Sequence, residues 1–133
     1  MTSKKYLSKE FTCWQTPSDK LQVYVSAFTG YMYIDGLRPD NRVQVQFTSE
    51  MAKRMRKMLK RCYKSEEDVA KRFFNCNHRA SDRLYVTRDE GTVKVVIQAN
   101  DRTIPVYLTD EDAKQLRKSI KMAMGAMTNE LQR

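Results

Sequence analysis

Between positions 21 and 47 apolar and polar residues alternate in three runs, each closed by a turn signal. Leu21–Phe28 and Tyr31–Leu37 flank Thr29-Gly30, and Val43–Phe47 follows Arg38-Pro-Asp-Asn. Period-two alternation bounded by such residues predicts strands joined as antiparallel hairpins. Thr48 then stands where an N-cap belongs, and Met51, Met55, Met58, Leu59 and Cys62 recur at helical spacing, which predicts a helix with one apolar stripe. The order returns in Leu84–Arg88, Val93–Ala99, Ile104–Leu108, the cap Thr109, and the stripe Ala113, Leu116, Ile120, Ala123, Met124 and Met127, with the helix running to about Leu131. Ahead of the first unit, Tyr6–Trp14 alternates weakly and is expected as a fourth strand. The stretch 65–83 reads as a linker, or as a short helix opened by Ser65-Glu-Glu-Asp and anchored by Val69, Phe73 and Phe74. No first strand is evident for the second unit.

The two units align without a gap at the offset that separates Thr48 from Thr109. Tyr24/Tyr85, Val25/Val86, Gly30/Gly91, Asp40/Asp101, Val45/Val106, Glu50/Glu111 and Lys57/Lys118 are among the identities, and Val43/Ile104, Phe47/Leu108, Met55/Leu116 and Leu59/Ile120 keep their apolar character. Neither helix can bury its stripe alone. The expectation is therefore one α+β domain over 1–133, a tandem βββ(β)α repeat of about 5–64 and 84–131. Its antiparallel sheet is joined across the repeats and backed on one face by two helices about a pseudo-twofold axis.

Charge narrows the chemistry. Lys and Arg number 25 against 16 Asp and Glu, a net charge of +9, and such a surface favours a polyanion whose phosphates release counterions on contact. No apolar run approaches a membrane span, and the first residues lack the apolar stretch of a signal peptide. The expected setting is the cytoplasm, with association to the nucleoid, or the nucleus in a eukaryote. Cys13, Cys62 and Cys76 are widely spaced and read as reduced thiols. Together with His78, the only histidine, they fit no regular zinc spacing. No Gly-rich phosphate loop or Ser/His/Asp set is present, so neither catalysis, a metal nor a cofactor is expected.

Strand parity then divides each unit. If Val23, Val25, Met32, Ile34, Val43, Val45 and Phe47 face the helices, the opposite face carries Tyr24, Ser26, Phe28, Tyr31, Tyr33, Arg42, Gln44 and Gln46. In the second unit the same reasoning exposes Tyr85, Thr87, Lys94, Val96, Gln98, Arg102, Thr103 and Tyr107. Rings among basic and amide side chains suit single-stranded nucleic acid, because bases stack on the rings while Lys and Arg hold the backbone. Such aromatics also serve simply as good strand formers. Trp14 is either core, the commoner fate of tryptophan, or one more platform. The first helix offers an alternative phosphate-binding face in Lys53, Arg54, Arg56, Lys57, Lys60 and Arg61, and a solvated lysine-rich face reads equally well there. Met122-Ala-Met-Gly-Ala-Met, apolar beyond one side of a helix, suggests a homodimer through the C-terminal helix.

The unit Val23-Tyr-Val-Ser-Ala-Phe-Thr-Gly-Tyr-Met-Tyr-Ile-Asp, followed by Val43-Gln-Val-Gln-Phe-Thr-Ser-Glu and a basic helix, resembles the positive-cofactor-four type of transcriptional coactivator. Its duplication is similar to the Whirly and Pur proteins of the same broad superfamily. That resemblance implies a curved antiparallel sheet backed by helices that binds single-stranded DNA or RNA, with Tyr24, Phe28, Tyr31, Tyr33 and Arg42 in contact with it. The lysine-glycine-lysine signature of Whirly proteins is missing. The expected function is a non-enzymatic single-strand binder in transcription, replication or recombination. The alternative is a small basic regulator, viral or host-directed, that grips an acidic protein surface.

Overall fold

The structure is a computed structural model and describes residues 5–127. It contains eight strands and two helices in the order ββββα-ββββα. β1 (Lys5–Thr12), β2 (Lys20–Ser26), β3 (Met32–Arg38) and β4 (Asn41–Phe47) form one antiparallel sheet in sequence order, and α1 (Ser49–Lys64) follows. β5 (Val69–Asn75), β6 (Arg83–Asp89), β7 (Thr92–Ala99) and β8 (Arg102–Leu108) form the second sheet, and α2 (Asp110–Ala126) follows it. The α+β tandem repeat expected from the pattern is present. The strands make two four-stranded sheets, however, where the sequence reading joined them in one.

Both helices start as their caps require. The Thr48 side chain accepts from the Met51 amide at 3.2 Å, and Thr109 does the same for Asp112 at 3.0 Å. Acids occupy each first turn, where they favour the helix dipole. α1 ends at Ser65, whose amide bonds the Cys62 carbonyl. Ser65 therefore closes a helix, where the pattern suggested that it opened one. The stretch of α2 expected from 128 to Leu131 lies outside the described residues.

Segment 65–83 is corrected further, because Val69–Asn75 is the first strand of the second repeat. Only Val69 and Phe74 of that strand are buried, and its register shifts between Val69 and Arg72. That bulge breaks the alternation by which a strand is recognised. The repeat also needs a gap. Val23 pairs with Ile34 across the first hairpin and Val86 with Val95 across the second. Ile34 and Val95 keep the offset of Thr48 and Thr109, so the counterpart of Val23 is Val86, two residues beyond the expected Leu84. The difference lies in the turns, residues 27–31 in the first repeat and Glu90-Gly91 in the second. Glu90 and Gly91 both have positive φ, as the tight primed hairpin turn demands.

All the apolar residues assigned inward in β2, β3 and β4 are buried, as are their counterparts in β6, β7 and β8 except that of Val25, where the half-buried Arg88 stands. β3 and β4 pack against β7 and β8, while each helix crosses to the other repeat: α1 lies mainly on β5 and β6, α2 on β1 and β2. The crossing follows from the edges. The Asn77 amide, just beyond β5, bonds the Gln46 carbonyl on β4 at 2.8 Å, and the Trp14 amide, just beyond β1, bonds Tyr107 on β8 at 3.0 Å. A helix leaving β4 thus emerges beside β5. At the end of α2, Ala123 and Met127 are buried and Met122 is 59% exposed, so much of the apolar run expected at a dimer contact is this chain's own core.

Candidate nucleic-acid interface

The outer face of the first sheet is a hydrogen-bonded polar surface. Tyr24 Oη donates to Asp35 Oδ2 at 3.1 Å and accepts from Gln44 Nε2 at 2.6 Å. Arg42 Nε lies 3.3 Å from the same Asp35 oxygen, and Arg42 Nη2 donates to Gln22 Oε1. Gln46 Nε2 donates to Tyr33 Oη, which in turn donates to Thr29 Oγ1. This order corrects one expected contact. Tyr24 is only 6% exposed and its ring stacks on Tyr33, with centroids 5.5 Å apart. It therefore presents no open ring to a base and instead holds Tyr33 and Gln44 in place. Phe28 is 79% exposed, but it sits in the β2–β3 turn and not on the sheet. Tyr31 and Tyr33 are half-buried, while Arg42 and Gln44 are exposed.

The β5–β6 loop turns this face into a groove. Cys76 Sγ accepts the Gln46 amide at 3.2 Å, and Asn77 Nδ2 donates to Gln46 Oε1 at 2.9 Å, so the loop is fastened along β4. The resulting groove holds about 870 Å³, with Tyr31, Tyr33, Arg42 and Gln44 on one side and His78 and Arg79 on the other. A second groove of about 820 Å³ adjoins it, shares Arg79, Asp82 and Asn100, and continues to Arg83, Gln98 and Arg102. Asp35, Asn77, Arg79 and Arg83 are not among the residues expected at the site. Parity placed Asp35 beside Tyr33 on the outer face, a signal that was legible, whereas the loop's position depends on contacts between the repeats.

The second sheet's outer face is more closed. Arg83 lies over Phe73 at 4.2 Å, Phe73 packs against Tyr85 at 5.2 Å, and Lys71 lies over the Tyr85 ring at 4.8 Å. Lys94, expected as a phosphate contact, pairs with Asp89 at 2.9 Å and lies over Tyr107 at 4.8 Å. Val96 and Thr87, expected on the open face, are buried. Arg102 is also misassigned, because it alternates with Ile104 and Val106 on the inner parity; it is exposed at the start of β8 and reaches the second groove from there. Trp14 is not core: it is 52% exposed, meets Tyr107 edge-on at 6.0 Å, and donates from Nε1 to Thr92 Oγ1. Of the basic helix residues, Lys53, Arg54, Lys57, Lys60 and Arg61 are exposed. Arg56 is half-buried toward α2, where Nε donates to the Arg117 carbonyl at 3.3 Å; burial, then the Arg117 charge, lower its pKa.

Two buried acids titrate in the same direction. Burial, reinforced by the Asp35 carboxylate, raises the Tyr24 phenol well above its ordinary 10.0, and burial pushes the Cys62 thiol from 9.0 up to about 11. Each is neutral when protonated, so the folded chain keeps its proton after the unfolded chain has lost it. Stability is full below the unfolded values and falls as pH rises past about 9, by up to ~1.4 kcal/mol per unit for each group. Chemical denaturation across pH 8 to 11, with Tyr24→Phe and Cys62→Ala, checks this (the range follows the ordinary values). Each variant should flatten the decline, and an unchanged slope in both would refute it.

All three cysteines are buried free thiols, and among the described residues no cluster of His, Cys, Asp and Glu could hold a metal ion. No described helix is long and apolar enough to cross a membrane. No protein-family model matches the chain, and no curated protein matches it.

Proposed function

We propose that this chain binds single-stranded nucleic acid, without chemical turnover, in the paired grooves between the outer face of β3–β4, the β5–β6 loop and the turn before β8. The observation that carries this reading is the continuity of the two grooves through Arg79. Along that path lie the rings of Tyr31 and Tyr33, the amides of Gln44 and Gln98, and the cations Arg42, Arg79, Arg83 and Arg102. Rings accept any base by stacking, amides read base edges, and guanidiniums hold phosphates. The tandem ββββα order also supports the resemblance to Whirly and Pur proteins, and with it a role in transcription, replication or recombination.

Fluorescence anisotropy with a short labelled single strand tests the reading. Tyr33→Ala should cost ~1–3 kcal/mol in single-strand affinity while the salt dependence stays as it was, because no charge is lost. Arg42→Ala should reduce the salt slope by about 0.7. The duplex form of the same oligonucleotide should be indifferent to Tyr33, since paired bases offer no free face. Wild-type single-strand affinity in both variants would reject the groove.

A further inference from the structure

We propose that the cleft between α1 and β5 is a second nucleic-acid site, one that grips the phosphate backbone of a duplex. It is independent of where single strands stack. After Glu50, α1 carries seven Lys and Arg and no acid. Lys53, Lys57 and Arg61 follow one another at single-turn intervals of about 6 Å along the rod. Because α1 has crossed to the other repeat, Arg72 of β5 closes the opposite side of this cleft, which holds about 590 Å³ with Met58 among its lining residues. Arg54 pairs with Glu50 at 3.1 Å, while among the described residues none of Lys53, Lys57, Arg61 and Arg72 forms an ion pair. α2, which packs against α1, likewise carries Lys114, Arg117, Lys118 and Lys121 and no acid after its first turn.

The lining chemistry selects the partner. Among the described residues no aromatic side chain lines the cleft, so a single strand would find nothing there on which to stack its bases. A protein partner ordinarily needs a central apolar or aromatic anchor, and lysine is depleted at such centres. A duplex buries its own bases and presents evenly spaced phosphates, which is what a straight row of unpaired cations can hold without reading sequence. With single strands held in the grooves, the protein would then engage the junction where a duplex opens, each segment raising the effective concentration of the other.

The test compares Lys53→Gln/Lys57→Gln/Arg61→Gln with an equal-charge control, Lys9→Gln/Lys20→Gln/Lys71→Gln, on a blunt duplex, a short single strand and a duplex with a single-stranded tail. The cleft variant should weaken duplex binding by about a hundredfold at low salt and reduce the salt slope by about 2.7, or 0.9 for each lost contact. It should also abolish the advantage of the tailed duplex over either part, and change single-strand affinity no more than the control does. Duplex binding by the cleft variant equal to that of the control would overturn the proposal. So would tighter binding of polyglutamate than of the duplex at equal salt, which would identify an acidic protein. If Tyr33→Ala leaves single-strand binding intact while the cleft variant loses the duplex, the groove reading fails and this site stands.

Discussion

Gly36→Val should lower unfolding stability by about 3 kcal/mol, the upper end of the usual cost of overpacking a core. Gly36 lies on β3 where the two sheets meet. A Cβ added there would come within 3.1 Å of Ile104 Cβ, Ile97 Cδ1 and Val43 Cγ2. Ile97 is the counterpart of Gly36 in the second repeat, so the two positions are asymmetric across the pseudo-twofold: the missing side chain on one sheet makes room for the large one on the other. Only the Ile97 terminus can yield easily, since Ile104 Cβ is fixed to its backbone and both isoleucines are fully buried. Ile97→Val in the Gly36→Val background should therefore recover part of the loss, although Ile97→Val alone should cost ~0.5–1.5 kcal/mol. A double-mutant cycle by urea denaturation measures this coupling. Strict additivity would mean that the sheets do not bear on each other at this point.

The same pseudo-symmetry explains how much could be read from the chain. Alternation in β2, β3 and β4 and the stripes of both helices were legible because each element has one wet and one dry face, and the capping threonines marked where one period gives way to the other. The edge strand of the second repeat was not. At the offset that links Val23 to Val86, Phe11 matches Phe74, Cys13 matches Cys76, Asp19 matches Asp82 and Leu21 matches Leu84. Those matches mark β5 and its loop, but they lie two residues out of phase with the helices. Because a shift of two residues preserves strand parity, Tyr24/Tyr85 and Val25/Val86 looked like valid pairs at the wrong offset. The structure makes the true equivalence concrete: the Cys13 and Cys76 thiols each accept an amide from the last strand of the opposite repeat, Tyr107 and Gln46.

Apart from Phe28 and Arg102, parity also predicted which side chains lie on the outer face, but not what they do there. Asp35 is fully buried although it lies on the outer face, because Tyr24, Gln44 and Arg42 close over it. Burial of a strand's outer side chains depends on cross-strand neighbours, which one strand's pattern does not contain. The exchange of helices was hidden for a related reason. A stripe shows that a helix is covered, not which sheet covers it.

Arg79→Ala should break the length dependence of single-strand binding. Among the described residues Arg79 is the only cation that lines both grooves, and its side chain is largely exposed, 3.8 Å from Asp82 and 3.4 Å from Asn100 Oδ1. The contacts are long and Arg79 is exposed, but the Asp82 carboxyl is buried, so the variant should lose up to about 2 kcal/mol of unfolding stability and remain folded. A strand passing from Tyr33 toward Arg83 must cross this guanidinium. Wild-type affinity should then rise as the oligonucleotide grows from about four nucleotides, enough for one groove, to about twelve, enough for both. Without Arg79 the longer strand should lose about tenfold in affinity, the worth of one charge-assisted contact of ~1.4 kcal/mol, and its salt slope should drop by about 0.7. The shorter strand, held by the rings and amides beside Arg42, should lose far less. Arg79→Lys should restore the salt slope, because the charge returns, but only part of the affinity, because lysine cannot present the planar fork of donors. Equal losses for short and long strands would mean that one groove does all the binding, and the path toward Arg83 and Arg102 would have to be abandoned.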